Sequence, residues 1–224
     1  MLFLRRFVAY FPAARYHILM KYYIVGASDF AREKFKPEED AFVIAADAGV
    51  LYTGERADLA IGDWDSLFRV PEGVKTVTLP VAKDHTDTGE AIDYALSHGA
   101  EEIVLFGASG GRTDHYLANL QYLVTIADAG VKASMVCPDC VIYAMAEGER
   151  EFEGRGKTLS LIPMRERVEM SISGVRYPLK KRLMPSDNPG LWVSNVIEEK
   201  CARVTVREGI VLVIVNDKVC DLRS

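Results

Sequence analysis

Leu59-Ala60-Ile61-Gly62-Asp63-Trp64-Asp65-Ser66 is a short apolar run that stops at two carboxylates one residue apart. Similar short, β-branched runs occupy residues 22–26, 42–46, 76–79, 103–107 and 132–137. Between them lie helical patterns. Ala91, Ile92, Ala95 and Leu96 make one stripe, Leu117, Leu120, Val124 and Ala127 another, and each ends near a glycine, Gly99 or Gly130. Strand runs alternating with helices predict a parallel sheet flanked by helices. In such sheets ligands bind at the carboxyl ends of the strands. Asp63 and Asp65 fall there, as does Asp47 after the run 42–46, and a closely spaced carboxylate pair suits one hard cation.

After about Val141 the pattern changes. Runs near 158–162, 168–172, 192–197, 202–206 and 210–216 are separated by Gly, Pro, Asn and Asp, which reads as an antiparallel β domain. Residues 147–157 are the most polar segment between the halves and are expected to hold a hairpin or linker. The expected fold is therefore α/β, a parallel-sheet domain over 20–146 followed by an antiparallel β-sandwich over 147–224. Residues 1–19 are read as an extension outside the core, with Met20 as the native start. The first 23 residues carry Arg5, Arg6, Arg15 and Lys21 and no acid, which leaves a net charge of −9 on the remainder.

At 224 residues, 49% hydrophobic and 26% charged, the chain is long and apolar enough for a sizeable core, and disorder is excluded. The net charge of −5 argues against a nucleic-acid backbone binder. No apolar run reaches the ~20 residues of a membrane span, and no secretory cleavage site follows the N-terminus. A cytoplasmic protein is expected. Cys137-Pro138-Asp139-Cys140 has the spacing of a redox dithiol or half a zinc site, but Cys201 and Cys220 supply no second pair. These are read as reduced thiols without a function.

Two further clusters carry chemistry. Lys83-Asp84-His85-Thr86-Asp87-Thr88-Gly89-Glu90 brings carboxylates to a helix start, where Asp87 as N-cap with Glu90 as its capping-box partner is the plain structural reading. Gly107-Ala108-Ser109-Gly110-Gly111-Arg112-Thr113-Asp114-His115 runs from a strand into a helix. Its glycines admit an anion to backbone N–H groups, the helix N-terminus attracts negative charge, and Arg112 offers a forked donor. It matches neither a Walker loop nor the dinucleotide fingerprint. A tight turn capped by Thr113 or Asp114 is its structural alternative.

In order, Ala45-Ala46-Asp47-Ala48-Gly49, Gly62-Asp63-Trp64-Asp65-Ser66, Lys83-Asp84-x-Thr86-Asp87 and Gly110-Gly111-Arg112-x-Asp114-His115 resemble the motifs of thiamine pyrophosphokinases. Residues 20–26 resemble the family's start, and Tyr177-Pro178-Leu179 and Ser194-Asn195 its C-terminal motifs. The resemblance spans about residues 20–216. Ala48, Trp64 and Trp192-Val193 depart from the usual pattern. It implies a nucleotide-binding α/β domain, a thiamine-binding β-sandwich, and homodimers with active sites between subunits. It also implies Mg²⁺-dependent pyrophosphoryl transfer from ATP to the thiamine hydroxyl, releasing AMP.

On the matching positions, the resemblance implies Asp63, Asp65 and Asp87 as metal ligands, and Asp63, Asp65, Asp87, Arg112 and Asp114 as the catalytic set. Asp87 and Asp114 both stand open as the base. Asp47, Asp84, Thr86, Gly110, Gly111, Arg112 and His115 would bind nucleotide, and Tyr177, Trp192, Ser194 and Asn195 thiamine. Two other readings fit parts of the pattern: a glycosyltransferase holding a sugar diphosphate through Asp63-x-Asp65, and a non-catalytic nucleotide or vitamin sensor.

Overall fold

The computed structural model describes residues 20–82, 84–184 and 193–219. The first-half runs become β1 (Lys21–Val25), β2 (Phe42–Ala46), β3 (Leu59–Gly62), β4 (Lys75–Thr78), β5 (Glu102–Phe106) and β6 (Lys132–Val136). They pair in parallel in the order β4-β3-β2-β1-β5-β6. The helices are α1 (Val50–Thr53), α2 (Asp87–Ser97) and α3 (Thr113–Asp128). The chain steps outward from β1 to β4 on one side and then returns to build β5 and β6 on the other. The strand order thus reverses between β1 and β5, and that crevice is where open α/β sheets take ligands.

The second half adds β7 (Cys140–Met145), β8 (Gly148–Glu153), β9 (Lys157–Pro163), β10 (Glu169–Ser173), β11 (Leu179–Leu183), β12 (Asn195–Val196), β13 (Cys201–Glu208) and β14 (Val211–Val219). β7 turns back antiparallel on β6, and β14, β9 and β12 continue outward, so ten strands form one sheet through both halves. β11, β10, β13 and β8 form a second, antiparallel sheet. Residues 147–157 contain the strand β8, whose alternation buries Phe152, with the half-buried Arg150 over its ring, while its glutamates face outward.

Four apolar clusters follow, the smallest holding Ala45, Ala60 and Trp64. α2 and α3 cover one face of the parallel strands over Ile24, Ile61, Ile92, Leu105 and Leu123. An aromatic cluster of Phe30, Phe35, Tyr23 and Phe106 covers the other face. Leu161, Met170, Val204 and Val213 fill the space between the two sheets.

Two helix details depart from the sequence reading. α2 is capped by Thr86, one residue before Asp87, because the Thr86 hydroxyl accepts the Gly89 N–H at 3.1 Å. In α3, Leu117 is 56% exposed, since the buried stripe runs through Leu123, Val124, Ile126 and Ala127 and turns away from the sheet near the helix start. Among the described residues no helix is long and apolar enough to cross a membrane.

Candidate active site at the strand ends

The crevice between β1 and β5 is closed at its base by two glycines. A Cβ on Gly26 would stand 2.6 Å from the Gly107 carbonyl oxygen, so no other residue fits without moving a backbone. The Ser28 N–H bonds the Gly107 carbonyl at 2.8 Å and the Asp29 N–H bonds that of Ser109 at 3.0 Å, tying the loop after β1 to the loop after β5. The latter loop continues through Gly110 and Gly111 at φ 68° and 60°, a left-handed pair that curls its amides toward the start of α3. α3 is entered at Arg112 with no side-chain cap from that position, and of its first amides only that of His115 is taken by a side chain, Asp114 Oδ1. An uncapped helix start of this length preceded by a glycine pair is suited to an anion.

Arg112 is forked onto Asp114, Nη2 to Oδ2 at 2.6 Å and Nε to Oδ1 at 3.2 Å, and Asp114 also accepts the His115 N–H at 3.0 Å. The hydrogen bond from Arg112 is the main cause that holds the Asp114 carboxyl down to about 2. The Asp114 charge in turn raises the Arg112 guanidinium. His115 is exposed beside them. Asp29, whose carboxylate lies against Gly110, is a neighbour of this loop that sequence reading did not single out. No local signal marks it, because its position depends on the β1–β5 crossing.

The acids gather at the ends of β2 and β3. An oxygen from each of Asp47, Asp63 and Asp65 lies within 4.8 Å of the others. Asp47 is buried, and its Oδ1 has no hydrogen-bond partner. It also sits at φ 46°, a backbone region that costs a non-glycine residue free energy and that concentrates at functional sites. Trp64, between Asp63 and Asp65, is likewise at positive φ (64°), with its indole buried and donating to the Thr78 hydroxyl on β4 at 2.9 Å. The Leu67 and Phe68 N–H groups bond back to the Trp64 carbonyl. The tryptophan is therefore an anchor that leaves the flanking carboxylates at the rim.

Asp87 does not join this trio of oxygens. It stands in the first turn of α2, after the exposed Asp84. The capping Thr86 hydroxyl also meets the Tyr122 hydroxyl of α3 at 3.4 Å, which ties α2 to α3. From β5 to β3 there are three inter-strand steps, so the glycine loop and the acids are about 14 Å apart across the sheet edge.

The remaining candidates lie elsewhere. Asn195 Nδ2 donates to the Tyr177 carbonyl at 2.8 Å and its Oδ1 accepts the Tyr177 N–H at 3.1 Å, so the amide holds Tyr177 in place while the tyrosine itself is 68% exposed. Ser194, at φ 59°, donates its N–H to the Ser160 hydroxyl at 2.9 Å. Trp192 and Lys83 lie outside the described residues. β12, which carries Asn195, is at one end of the ten-stranded sheet, and β3 is next to the other end. Eight inter-strand steps separate them, about 38 Å along the sheet.

Comparison with known proteins places both halves. The thiamin pyrophosphokinase catalytic domain matches residues 36–135, and the thiamin pyrophosphokinase vitamin B1 binding domain matches residues 148–211. A thiamine pyrophosphokinase of Bacillus subtilis (strain 168) is 29% identical over 164 residues, which is 69% of this chain and 76% of that protein. Thiamine pyrophosphokinase 1 of Oryza sativa subsp. japonica is 28% identical over 170 residues, 67% of this chain and 62% of that protein. Among solved structures, a thiamin pyrophosphokinase from Geobacillus thermodenitrificans aligns with a TM-score of 0.76 at 27% identity, over 89% of this chain and 98% of that one. The Bacillus subtilis enzyme's structure shares the fold, with a TM-score of 0.77 at 24% identity over 90% of this chain and 100% of that one. With both family domains matched in order along one α/β-plus-sandwich chain, this protein belongs to the thiamin pyrophosphokinase family.

Proposed function

We propose that this chain transfers a pyrophosphoryl group from ATP to the hydroxyl of thiamine, giving thiamine pyrophosphate and AMP, and that it does so as a cytoplasmic homodimer. The observation that carries the reading is the pairing of an acidic trio at the ends of β2 and β3 with an uncapped, glycine-led helix start at the β1–β5 crevice. Such a pairing suits a polyphosphate and its metal.

Asp47, Asp63 and Asp65 fit a hard divalent cation. They offer three carboxylates, and the buried Asp47 Oδ1 has no other partner. They would hold Mg²⁺, which when bound neutralises charge on the transferring phosphates. This set takes in Asp47 and leaves Asp87 for another task. The amides at Gly110, Gly111 and the start of α3 bind phosphate oxygens, with Thr86 holding the neighbouring helix start in register. Arg112 is kept extended at that rim by Asp114 and is positioned to exchange part of its fork onto phosphate. Phosphoryl transfer needs positioning and charge neutralisation more than a protein nucleophile. Of the two carboxylates considered as base, Asp114 is the weaker, because Arg112 holds it ionised down to about 2. Asp87 is therefore assigned to accept the hydroxyl proton.

Thiamine is assigned to the β-sandwich, against the exposed ring of Tyr177 as fixed by Asn195, with Ser194 beside it and Trp192 on the same segment. A site eight inter-strand steps from its own acids, about 38 Å along the sheet, does not serve them within one chain, so a second copy completes it. An apolar trough of Leu117, Leu120, Ile162, Met164 and Ile214 supports pairing, since the described residues leave it open. The direct test is incubation with ATP, thiamine and Mg²⁺. Equal release of AMP and thiamine pyrophosphate is expected, whereas ADP formation, or AMP formation independent of thiamine, refutes the reading.

A further inference from the structure

Cys137 and Cys140 flank the two-residue turn that joins β6 to β7. The ladder pairs Met135 with Ile142 and Val136 with Val141, and the same register sets Cys137 directly opposite Cys140, closed by a bond from the Cys137 N–H to the Cys140 carbonyl at 2.9 Å. Strand alternation puts both sulfurs on the face under α3, in one cluster with Met135 and Ile142. Opposed residues of a hydrogen-bonded antiparallel pair have Cα atoms about 5.5 Å apart, inside the roughly 4.4–6.8 Å that a disulfide spans. Both are free thiols, 2% and 9% exposed, beneath an exposed Pro138-Asp139 tip.

The turn is clamped from outside. Lys34 Nζ donates to the carbonyls of Cys137 (2.7 Å) and Pro138 (3.0 Å), and the Asp217 N–H bonds the Asp139 carbonyl at 2.9 Å. A bond between the sulfurs therefore closes by side-chain rotation on a fixed backbone. The two thiols are also unequal. The pairing with Cys140 holds the Cys137 thiol below the ordinary cysteine range, while the same pairing and burial push Cys140 up. Cys137 is thus the thiolate-forming partner, and because Val136 pairs with Phe106, it follows β6 beside Gly107, where the loop between β5 and α3 begins.

We propose that Cys137 and Cys140 are a peroxide-sensitive dithiol that closes reversibly to a cross-strand disulfide, and that closing it disturbs the phosphate loop beside it. The second clause rests on the phosphate-binding role given to that loop above. The Cys137 thiolate attacks one peroxide oxygen, the O–O bond breaks, hydroxide leaves, and Cys137 becomes a sulfenic acid. The Cys140 sulfur then displaces that hydroxyl as water, its proton going to the leaving oxygen. In sum, two thiols lose two electrons and two protons to one peroxide, giving one disulfide and two waters. The S–S bond of about 2.05 Å draws the Cys137 sulfur toward β7 and away from the β5 side, where the loop begins.

The test treats the full-length protein with hydrogen peroxide and maps its peptides by mass spectrometry, then measures ATP binding before and after. The expected result is loss of two hydrogens from the segment holding both residues, reversed by dithiothreitol. Cys140→Ser should instead accumulate a dimedone-trappable sulfenic acid on Cys137. ATP affinity should fall about fivefold on oxidation, the worth of one net hydrogen bond, and recover on reduction. Oxidation that falls on Cys201 while the pair stays reduced overturns the dithiol, a result that needs no variant. A disulfide that forms with ATP affinity unmoved overturns the coupling. Reduced protein that binds no ATP at all overturns the phosphate-loop reading and the coupling with it, while the mapped mass still decides the dithiol.

Discussion

Asp47→Asn should raise the stability of the metal-free protein while removing its response to Mg²⁺. Asp47 holds a buried oxygen without a partner and lies within 4.8 Å of carboxylate oxygens of Asp63 and Asp65. Two unit charges at 4.8 Å repel by about 0.9 kcal/mol in bulk water and about 3.5 kcal/mol at an effective dielectric of about 20. Asp65 is exposed and Asp63 half-buried, so the low end applies, and removing both repulsions is worth about 2 kcal/mol. Asparagine also tolerates the left-handed backbone that Asp47 adopts at φ 46°. For a chain of this size about 2 kcal/mol corresponds to a Tm roughly 4–8 °C higher.

The assay is thermal unfolding of both proteins in EDTA and in millimolar Mg²⁺ with a non-hydrolysable ATP analogue. Wild type should gain stability on metal and nucleotide addition, because a ligand that binds only the folded state stabilises it. Asp47→Asn should start higher and gain little. A variant less stable than wild type in EDTA, or one with the full Mg²⁺ response, would refute the electrostatic reasoning.

Arg112→Lys should lower kcat/KM for ATP by roughly tenfold, since an ammonium does not reproduce a forked contact; an unchanged value would make Arg112 structural. Gly107→Ala should cost about 1–2 kcal/mol for a left-handed alanine at φ 57°, and more from the approach of Gly26, read as a lower Tm with raised KM for ATP. Glu38→Gln tests a pH dependence. Glu38 accepts from Lys21 and from the Tyr23 hydroxyl, each at 2.8 Å, and the Lys21 bond is the first cause that lowers its carboxyl from 4.5 to about 2. A depressed carboxylate stabilises the fold above its ordinary value and loses that contribution as pH falls. The variant should therefore be less stable by about 1 kcal/mol at pH 7, the gap closing between about pH 4.5 and 2. A gap that is constant with pH would contradict the assignment.

The parallel half was legible because its central strands β1, β2, β3 and β5 are mostly buried and are followed by glycine or aspartate. The run 59–62 and its following acids mark β3 and its ligand edge without any tertiary knowledge. The strands that went unread were those whose side chains carry a different message. β8 is mostly charged, with only Phe152 buried, and β11, Leu-Lys-Lys-Arg-Leu, is a basic edge strand, a common protection against unwanted pairing. β7 was obscured by Pro138-Asp139, a turn that reverses the chain so that the ten-stranded sheet continues past the expected division at residue 146.

At the site, Asp63 and Asp65 declared themselves by spacing. That Asp47 joins them depends on β2 lying beside β3, a long-range pairing that no local pattern encodes. Asp29 reaches the glycine loop only through the β1–β5 crossing. Tyr177 and Asn195 were read as independent contacts, whereas their mutual hydrogen bonds make one the support of the other.

The central claim is that each active site draws its acids from one subunit and its thiamine contacts from another, because eight inter-strand steps separate them within a chain. The direct measurement mixes Asp65→Asn and Asn195→Ala proteins, each inactive alone, under conditions that exchange subunits. Shared sites predict that mixing restores activity, since the heterodimer carries one site free of both substitutions, up to about a quarter of wild type for equal, random exchange. A heterodimer that forms and stays inactive would contradict the account.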